Sequence, residues 1–250
     1  MRRLLLSLFS HRTLAAIRVD LHFWVVRLGG LITGQRRRMG RFVASRQAPV
    51  LLNLGAGPRG LDDPHWVNVD GYPAPGAHFL IDISRGLPFA DGSFDGVFCE
   101  HVLEHFAKDD GAHIAREVAR VLKPAGVFRV VVPDAAFVLG SYFEAPDELV
   151  AGRGDGETPM DAVNSYFRQR YEHQFMYDWP ALRRLLLDAG FADATLSTYR
   201  TTRSGLPLAI DDAKYERESL YVEATAASAG VPPAPDVVVR AAARLSKVDA

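Results

Sequence analysis

The stretch Val50-Leu51-Leu52-Asn53-Leu54-Gly55-Ala56-Gly57-Pro58 decides how this 250-residue chain folds. Its apolar first half is typical of a buried parallel strand, which then breaks into a loop at two glycines. Gly55 and Gly57 lack a Cβ, so the backbone can turn sharply there and a ligand can approach the main chain closely. A lone Gly-x-Gly pair is more often a plain turn than a nucleotide site, so the segments that follow must decide.

Strand-like and helix-like segments alternate after this loop. Apolar patterns predict further strands and one amphipathic helix, at residues 66–70, 78–83, 94–100, 110–122 (the helix) and 127–133. Only Gly55–His65 separate the first two strands, which is too short for an ordinary crossover, so the first helix is expected to shrink to a turn or two. Segments 192–198 and 218–224 suit two strands that pair antiparallel. We therefore predict an α/β, Rossmann-like, doubly wound, mostly parallel seven-stranded sheet with an antiparallel terminal strand and an N-terminal helical appendage.

Composition divides the chain into three parts. Residues 1–48 are predicted to be a basic helical N-terminal extension, and residues 226–250 a Pro-rich linker and tail. The main domain spans 49–225, with 134–177 inserted as a lid or acceptor segment.

Charge and cysteine content limit the partners. The first 50 residues carry ten arginines and one acidic residue, a formal +9, so the remainder carries −10 to give the total of −1. An acidic main domain argues against nucleic acid. The basic head fits a segment lying on an anionic membrane surface, a helical appendage with solvated arginines, or a targeting segment. A lone cysteine, Cys99, most simply a core residue, fits a cytoplasmic protein, including one held peripherally at the inner face of the membrane.

Three consecutive predicted strands end in carboxylates, Asp70, Asp82 and Glu100. The carboxyl ends of parallel strands face the ligand crevice, so these groups are expected to line it together. A carboxylate at the second strand can accept hydrogen bonds from ribose hydroxyls, and one strand further out can accept from an adenine amino group. Each alone is more often a helix or turn cap. Three in register after a Gly-x-Gly loop favour a nucleoside ligand.

This order of motifs resembles the class I S-adenosylmethionine-dependent methyltransferases, of methyltransferase type 11, over about residues 50–225. The series Pro88-Phe89-Ala90-Asp91-Gly92-Ser93-Phe94-Asp95, Glu100-His101-Val102-Leu103-Glu104-His105 and Leu122-Lys123-Pro124-Ala125-Gly126 is the specific part of the resemblance. Residues 173–177 with 182–191 resemble, more loosely, a branch associated with surface-glycan biosynthesis.

The resemblance implies S-adenosyl-L-methionine as cofactor. Gly55 and Gly57 would approach its methionine portion, Asp70 its ribose, and Asp82 its adenine. The full set of implied cofactor-binding residues is Asn53, Gly55, Ala56, Gly57, Asp70, Gly71, Asp82, Ile83, Glu100 and His101. Two departures are visible: Asn53 replaces the usual acidic partner of the cofactor's ammonium, and the loop's third glycine, Gly60, is displaced from its usual place.

Two histidines are candidate catalytic bases, His105 and His173. On a helix, His101 and His105 would have the spacing of an H-x-x-E-H metal motif, but no third ligand follows from the spacing, and we predict no metal site. The plainer alternatives are that His105 packs or caps a helix and that His173 lies on the surface. Aromatic residues concentrate in the same segment and either pack it on the sheet or form an acceptor wall: Tyr166, Phe167, Tyr171, Phe175, Tyr177 and Trp179.

We therefore expect an enzyme that methylates a hydroxyl of a small-molecule or glycan acceptor. One alternative is an inactive methyltransferase-like module that scaffolds a membrane assembly through its basic head. Another is a metal-dependent hydrolase that uses His101, Glu104 and His105.

Overall fold

Seven strands form one sheet in the computed structural model, which describes residues 11–153 and 157–228. The strand order is β3-β2-β1-β4-β5-β7-β6, and β7 runs antiparallel to both of its neighbours while the other pairs are parallel. The predicted fold class is thus confirmed. The strands are β1 (Leu51–Leu54), β2 (Trp66–Asp70), β3 (Phe79–Leu80), β4 (Phe94–Glu100), β5 (Leu122–Pro133), β6 (Phe191–Leu196) and β7 (Ser219–Ala226).

Helices flank the sheet and form most of the inserted segment. They are α1 (His11–Ile32), α2 (Gln35–Ala44), α3 (Lys108–Val121), α4 (Ala135–Glu144), α5 (Pro146–Arg153), α6 (Pro159–Arg168) and α7 (Trp179–Asp188). None of the described helices combines the length and the apolarity that crossing a membrane requires. Residues 1–10 of the predicted basic extension, residues 154–156 of the predicted inserted segment and the predicted tail from 229 onward lie outside the described residues.

Local side-chain chemistry explains where element bounds differ from prediction. The third strand was predicted over 78–83 but ends at Leu80. The Asp82 carboxylate accepts hydrogen bonds from the Ser84 backbone N–H (3.2 Å) and hydroxyl (2.6 Å). This cap starts a 3₁₀ turn over Ile83–Arg85 and ends the extended backbone. Within the inserted segment, the residues before 154 form helix α5.

The first crossover is short, as the sequence predicted. Its only helical part is a 3₁₀ turn over Gly57–Arg59, with Pro58 in its first positions. Gly60 has a steric role there: a Cβ on it would lie 2.4 Å from the carbonyl carbon of Gly76, so the loops before and after β2 can cross only at glycine.

The N-terminal helices pack on the sheet rather than apart from it. Met39 of α2 is completely buried in the main apolar core, and Phe42 packs edge-on against Phe79 with ring centroids 5.4 Å apart. The space beside β2 and β3 is thus filled by chain that precedes β1.

The loop around residue 90, which belongs to the part of the sequence that carries the family resemblance, is held by an ion pair on α3. Glu117 accepts from Arg120 and from the Leu87 backbone N–H (2.7 Å), and Arg120 in turn donates to the carbonyls of Leu87 and Phe89. The hydrogen bond from Arg120 lowers the pKa of Glu117. This arrangement fixes the loop that enters β4 to α3.

A completely buried arginine, Arg129, lies in the central strand β5. Its Nε donates to Asp211 Oδ1 at 2.8 Å, and its terminal nitrogens donate to Asp211, to Glu223 and to the carbonyls of Thr198 and Thr201. A buried charge is tolerated only when it is paired and fully hydrogen-bonded, and these contacts meet both conditions. The arginine thereby fastens the long 197–218 segment to the sheet.

Replacing Arg129 by Met should destabilise the protein by about 3–5 kcal/mol, because Asp211 and Glu223 would remain buried without their partner. The matched control is Arg184→Met, which removes an exposed guanidinium paired with Asp188 on α7 and should cost at most about 0.5 kcal/mol. Urea unfolding followed by circular dichroism measures both. Equal losses for the two variants would contradict this account.

Candidate active site

The loop after β1 is held in one conformation by backbone hydrogen bonds. Gly55 and Ala56 both donate their N–H groups to the Val69 carbonyl at 3.0 Å. Gly55 has φ +78°, and a Cβ on it would lie 2.3 Å from Val102 Cγ2. Gly57 also has positive φ, but the space a Cβ would enter there is empty. The loop therefore presents bare backbone at the carboxyl end of the central strands.

Asp70 links this loop to the turn after β2. Its Oδ2 accepts from the Gly57 N–H at 2.8 Å and its Oδ1 from the Tyr72 N–H at 2.8 Å. A carboxylate has about four acceptor positions, so each oxygen keeps capacity for a ligand hydroxyl. The residue thus lies at the predicted strand end with an additional structural role.

Helix α1 covers the ends of β2 and β3. His22 Nε2 makes a 2.8 Å hydrogen bond to the Gly71 carbonyl, and its ring stacks on Tyr72 at 4.5 Å between centroids. Arg27 lies 3.6 Å from Asp82 Oδ2, and the Asp82 side chain is only 7% exposed. Gly71 and Asp82, both in the implied cofactor-binding set, thus lie beside the N-terminal helix, and Ile83 of the same set is buried.

Asn53 is committed to a structural hydrogen bond. Its amide donates to Asn68 Oδ1 at 3.2 Å, and Asn68 also bonds both the N–H and the carbonyl of Leu61. These bonds connect β1, β2 and the short crossover, which explains an amide rather than an acid at position 53.

Glu100 forms a charged network at the end of β4. Its carboxylate accepts from the Arg59 guanidinium and from the Asp212 N–H (2.9 Å), and Arg59 Nε lies 3.4 Å from Asp212 Oδ2. Beside it is a cavity, here called the Glu100 cavity, lined by Asn53, Gly55, Ala56, Arg59, Leu61, Phe98, Glu100 and Ile210. Four of the residues implied as cofactor ligands are therefore brought together here.

His101 does not share a helix with His105. Its φ is +54°, and only Leu103–His105 form a 3₁₀ turn, so the two imidazoles do not have the i,i+4 helical relation that the H-x-x-E-H metal alternative requires. The His101 ring stacks on Tyr215 at 3.7 Å between centroids and bonds Ser219 Oγ at 2.9 Å.

His105 and His173 instead meet across the fold, with ring centroids 5.0 Å apart. His173 is 8% exposed, which excludes a surface position, and its Nδ1 bonds the Tyr166 carbonyl at 2.7 Å. Burial lowers the pKa of His173, and Glu104 only partly offsets this effect. Both rings line a second cavity, the histidine cavity, with His101, Glu104, Pro133, Arg153, Tyr166, Gln169, Tyr215 and Glu218.

Most of the aromatic concentration is packing. Tyr177 is fully buried, and Phe175 and Trp179 pack against the main core. Tyr166 alone of the six lines the histidine cavity, where its hydroxyl donates to Glu218 and Arg153 lies 4.1 Å from its ring centroid. Burial, reinforced by Glu218, raises the pKa of Tyr166.

Several residues around the two cavities carried no recognised sequence signal. Arg59 directly follows Gly-x-Gly-Pro, and a cation so close to the predicted carboxylates at the strand ends is a signal that could have identified it as a site residue. Asp212, Tyr215 and Glu218 belong to a segment without periodicity, and only the fold brings them to β4 and β5.

Comparison with known proteins finds one family model and several solved structures that are similar to this chain. Residues 71–130 match a family model described as a methyltransferase domain. Solved structures similar to this chain include three methyltransferases. The Burkholderia thailandensis 1,6-didemethyltoxoflavin-N1-methyltransferase with bound 1,6-didemethyltoxoflavin and S-adenosylhomocysteine is 17% identical (88% of this chain, 92% of that chain, TM-score 0.46). Two SAM-dependent methyltransferases are also similar. The one from Thermotoga maritima is 16% identical (81% of this chain, 98% of that chain, TM-score 0.45). The one from Archaeoglobus fulgidus is 11% identical (76% of this chain, 92% of that chain, TM-score 0.43).

The segment similar to a methyltransferase domain covers about a quarter of the chain. It runs from the turn after β2 into β5 and carries Asp82, Glu100 and His101. A methyltransferase domain of this kind indicates S-adenosylmethionine as the cofactor.

Gly55→Ala should destabilise the protein more than Gly57→Ala. Both changes put a Cβ on a positive-φ backbone, but only the first drives it into Val102. Thermal unfolding of each variant measures the difference. The double variant Gly55→Ala with Val102→Ala should recover part of the loss because it removes the contacted methyl group. Equal losses for the two single variants, with no recovery in the double variant, would show that Val102 does not constrain the loop.

Proposed function

We propose that this protein transfers a methyl group from S-adenosylmethionine to a hydroxyl of a small-molecule or glycan acceptor. The observation that carries the proposal is the convergence of the glycine loop, Asp70 and the Glu100–Arg59 pair at the carboxyl ends of adjacent strands. The match of residues 71–130 to a methyltransferase domain supports the same reaction class.

The residues present fit the cofactor's charges. A methionine moiety carries an ammonium and a carboxylate, and the Glu100 cavity offers one carboxylate and one guanidinium side by side. Glu100 is buried, whereas the Arg59 side chain is 43% exposed and can reposition. We infer that Glu100 receives the ammonium and Arg59 the carboxylate. The same arrangement supplies the acidic partner that Asn53 lacks.

Asp70 is proposed to accept the ribose hydroxyls, with Asp82, Ile83 and Gly71 on the adenine side. When bound, S-adenosylmethionine supplies an electrophilic methyl group on a sulfonium. The protein's contribution is then to hold the acceptor oxygen in line with that group and to exclude water, which is mainly a proximity effect.

The histidine cavity is proposed to hold the acceptor side. A hydroxyl that is methylated loses its proton, and a group must receive it. Because the Tyr166 carbonyl can only accept, the His173 Nδ1 bears the hydrogen, which leaves a lone pair on Nε2. We assign His173 as the group that receives the proton. His105 would lie beside it, next to the molecule that is methylated. A glycan acceptor agrees with the polar lining of the cavity.

We also propose that α1 contacts an anionic membrane surface. The helix exposes apolar side chains along the face away from Gly71 and Asp82, among them Leu21, Trp24, Leu28 and Leu31. Arg36, Arg37 and Arg38 follow on α2 and would favour anionic headgroups.

Asp70→Ala should weaken S-adenosylmethionine binding, since hydrogen bonds to a charged acceptor contribute about 1.5–3 kcal/mol each. The matched control is Asp62→Ala, which removes an exposed loop carboxylate and should leave affinity within twofold. Isothermal titration calorimetry gives both dissociation constants. Equal affinities would remove the ribose assignment.

Incubating the protein with tritiated-methyl S-adenosylmethionine and a cell extract should label a small or glycan product. His173→Ala should retain cofactor affinity while losing about 10²–10⁴ in turnover. A protein that binds cofactor but labels nothing would favour the inactive scaffold instead.

Trp24→Ser with Leu28→Ser should reduce co-sedimentation with vesicles containing anionic lipid, because it removes the exposed apolar face. The control pair Arg184→Ser and Asp188→Ser changes a distant exposed site on α7. If the wild-type chain sediments equally with neutral and with anionic vesicles, that result would contradict an electrostatic contribution to membrane binding.

A further inference from the structure

The floor of the histidine cavity contains a buried carboxylate without a hydrogen-bond partner. Glu104 is 0% exposed, and both of its carboxylate oxygens lack a hydrogen bond within the described part of the chain. His101 Nδ1 lies 3.3 Å from Oε1 without forming one. A carboxylate buried in this state is unfavourable unless a proton or a cation compensates it.

Two imidazoles face the same point. Glu104, His105 and His173 each offer one ligand atom, and the three atoms lie within 4.8 Å of one another. His173 Nε2 is also buried and unpartnered. An unpartnered carboxylate next to an unpartnered imidazole nitrogen is the pattern expected where an ion sits between them.

The outer hydrogen bonds of both rings favour ligation. His173 Nδ1 bonds the Tyr166 carbonyl, and His105 Nδ1 lies 3.2 Å from the Glu172 carbonyl. Since a carbonyl oxygen only accepts, each Nδ1 bears the hydrogen and each Nε2 keeps its lone pair. Metal-ligating histidines are commonly oriented by such a bond from the other ring nitrogen to a backbone carbonyl.

The backbone also fixes the ligands relative to one another. The Gln174 and Phe175 N–H groups donate to the Glu104 carbonyl at 2.7 and 3.2 Å, and Gln174 Nε2 donates to the His105 carbonyl at 2.8 Å. The chain that carries His173 is therefore docked directly on the turn that carries Glu104 and His105. The third ligand lies 68 residues beyond His105, which is why spacing did not reveal it.

We propose that Glu104, His105 and His173 bind one divalent first-row transition-metal ion, such as Zn²⁺. One carboxylate with two imidazoles suits zinc, cobalt, iron or nickel, whereas Mg²⁺ and Ca²⁺ prefer oxygen alone. Three protein ligands leave a coordination position that can face the cavity, where a water or an acceptor oxygen fits. Metal binding itself does not depend on the proposed function; only the assignment of the open position to an acceptor rests on it.

Binding the metal ion and accepting the proton are alternative roles for His173. A nitrogen that ligates a metal has no lone pair left to receive a proton. In the metal-bound protein the two histidines would act through the ion, which would favour the deprotonated form of a bound hydroxyl.

The test is a metal titration of the tag-free, full-length chain after chelator treatment. We expect one equivalent of Zn²⁺ bound, a raised melting temperature, and with Co²⁺ a visible absorption band characteristic of nitrogen and oxygen ligation. His105→Ala and His173→Ala should each weaken Zn²⁺ binding at least 100-fold, and Glu104→Gln similarly.

The control is His113→Ala, a histidine on α3 outside the cavity, which should bind Zn²⁺ as the wild type does. His105 is half-buried, so its alanine variant keeps the proposal testable should the Glu104 variant fail to fold. Folded wild-type protein that takes up no stoichiometric Zn²⁺ or Co²⁺ would overturn the proposal. Binding that survives the histidine variants would overturn it as well. Since these readouts do not use turnover, they separate this proposal from the proposed methyl transfer.

Discussion

The arrangement of the candidate site depends on the buried guanidinium of Arg129. A charge in the middle of β5 forces the chain to supply two carboxylates and several carbonyls around it. Asp211 comes from the same segment as Ile210 and Tyr215, which line the two cavities, and as Asp212, which pairs with Arg59. The long 197–218 segment is therefore held to the sheet at Asp211, and the residues next to Asp211 reach the strand ends.

The sequence predicted those features that local patterns control. Apolar runs located the central strands, and the eleven residues between β1 and β2 correctly required a short crossover. The carboxylates at Asp70 and Glu100 were found because parallel strands end at a common edge.

What the sequence could not predict were contacts between distant segments. Arg129 reads as an exception in an apolar strand, because its partners lie 68 to 94 residues further along. The H-x-x-E-H spacing brings two histidines together only on a helix, and His101 instead adopts a positive φ. His173 lies beyond α4, α5 and α6 in the chain, so only the tertiary fold brings it next to His105. The role of α1 was hidden for the same reason, since His22 and Gly71 are 49 residues apart.

The shortened crossover has an energetic consequence. Because the crossover after β1 contains so little helix, α1 covers the edge of the sheet near Gly71 and Asp82. Along the chain, α1 is connected to β1 through α2. If adenosine binds at this edge, the docking of α1 and the occupancy of the edge are thermodynamically linked, and the linkage acts equally in both directions. A surface or partner that changes the docking of α1 would change nucleoside binding by some factor, and a bound nucleoside would change that docking by the same factor. The N-terminal helix would then report the occupancy of the edge to whatever its outer face touches.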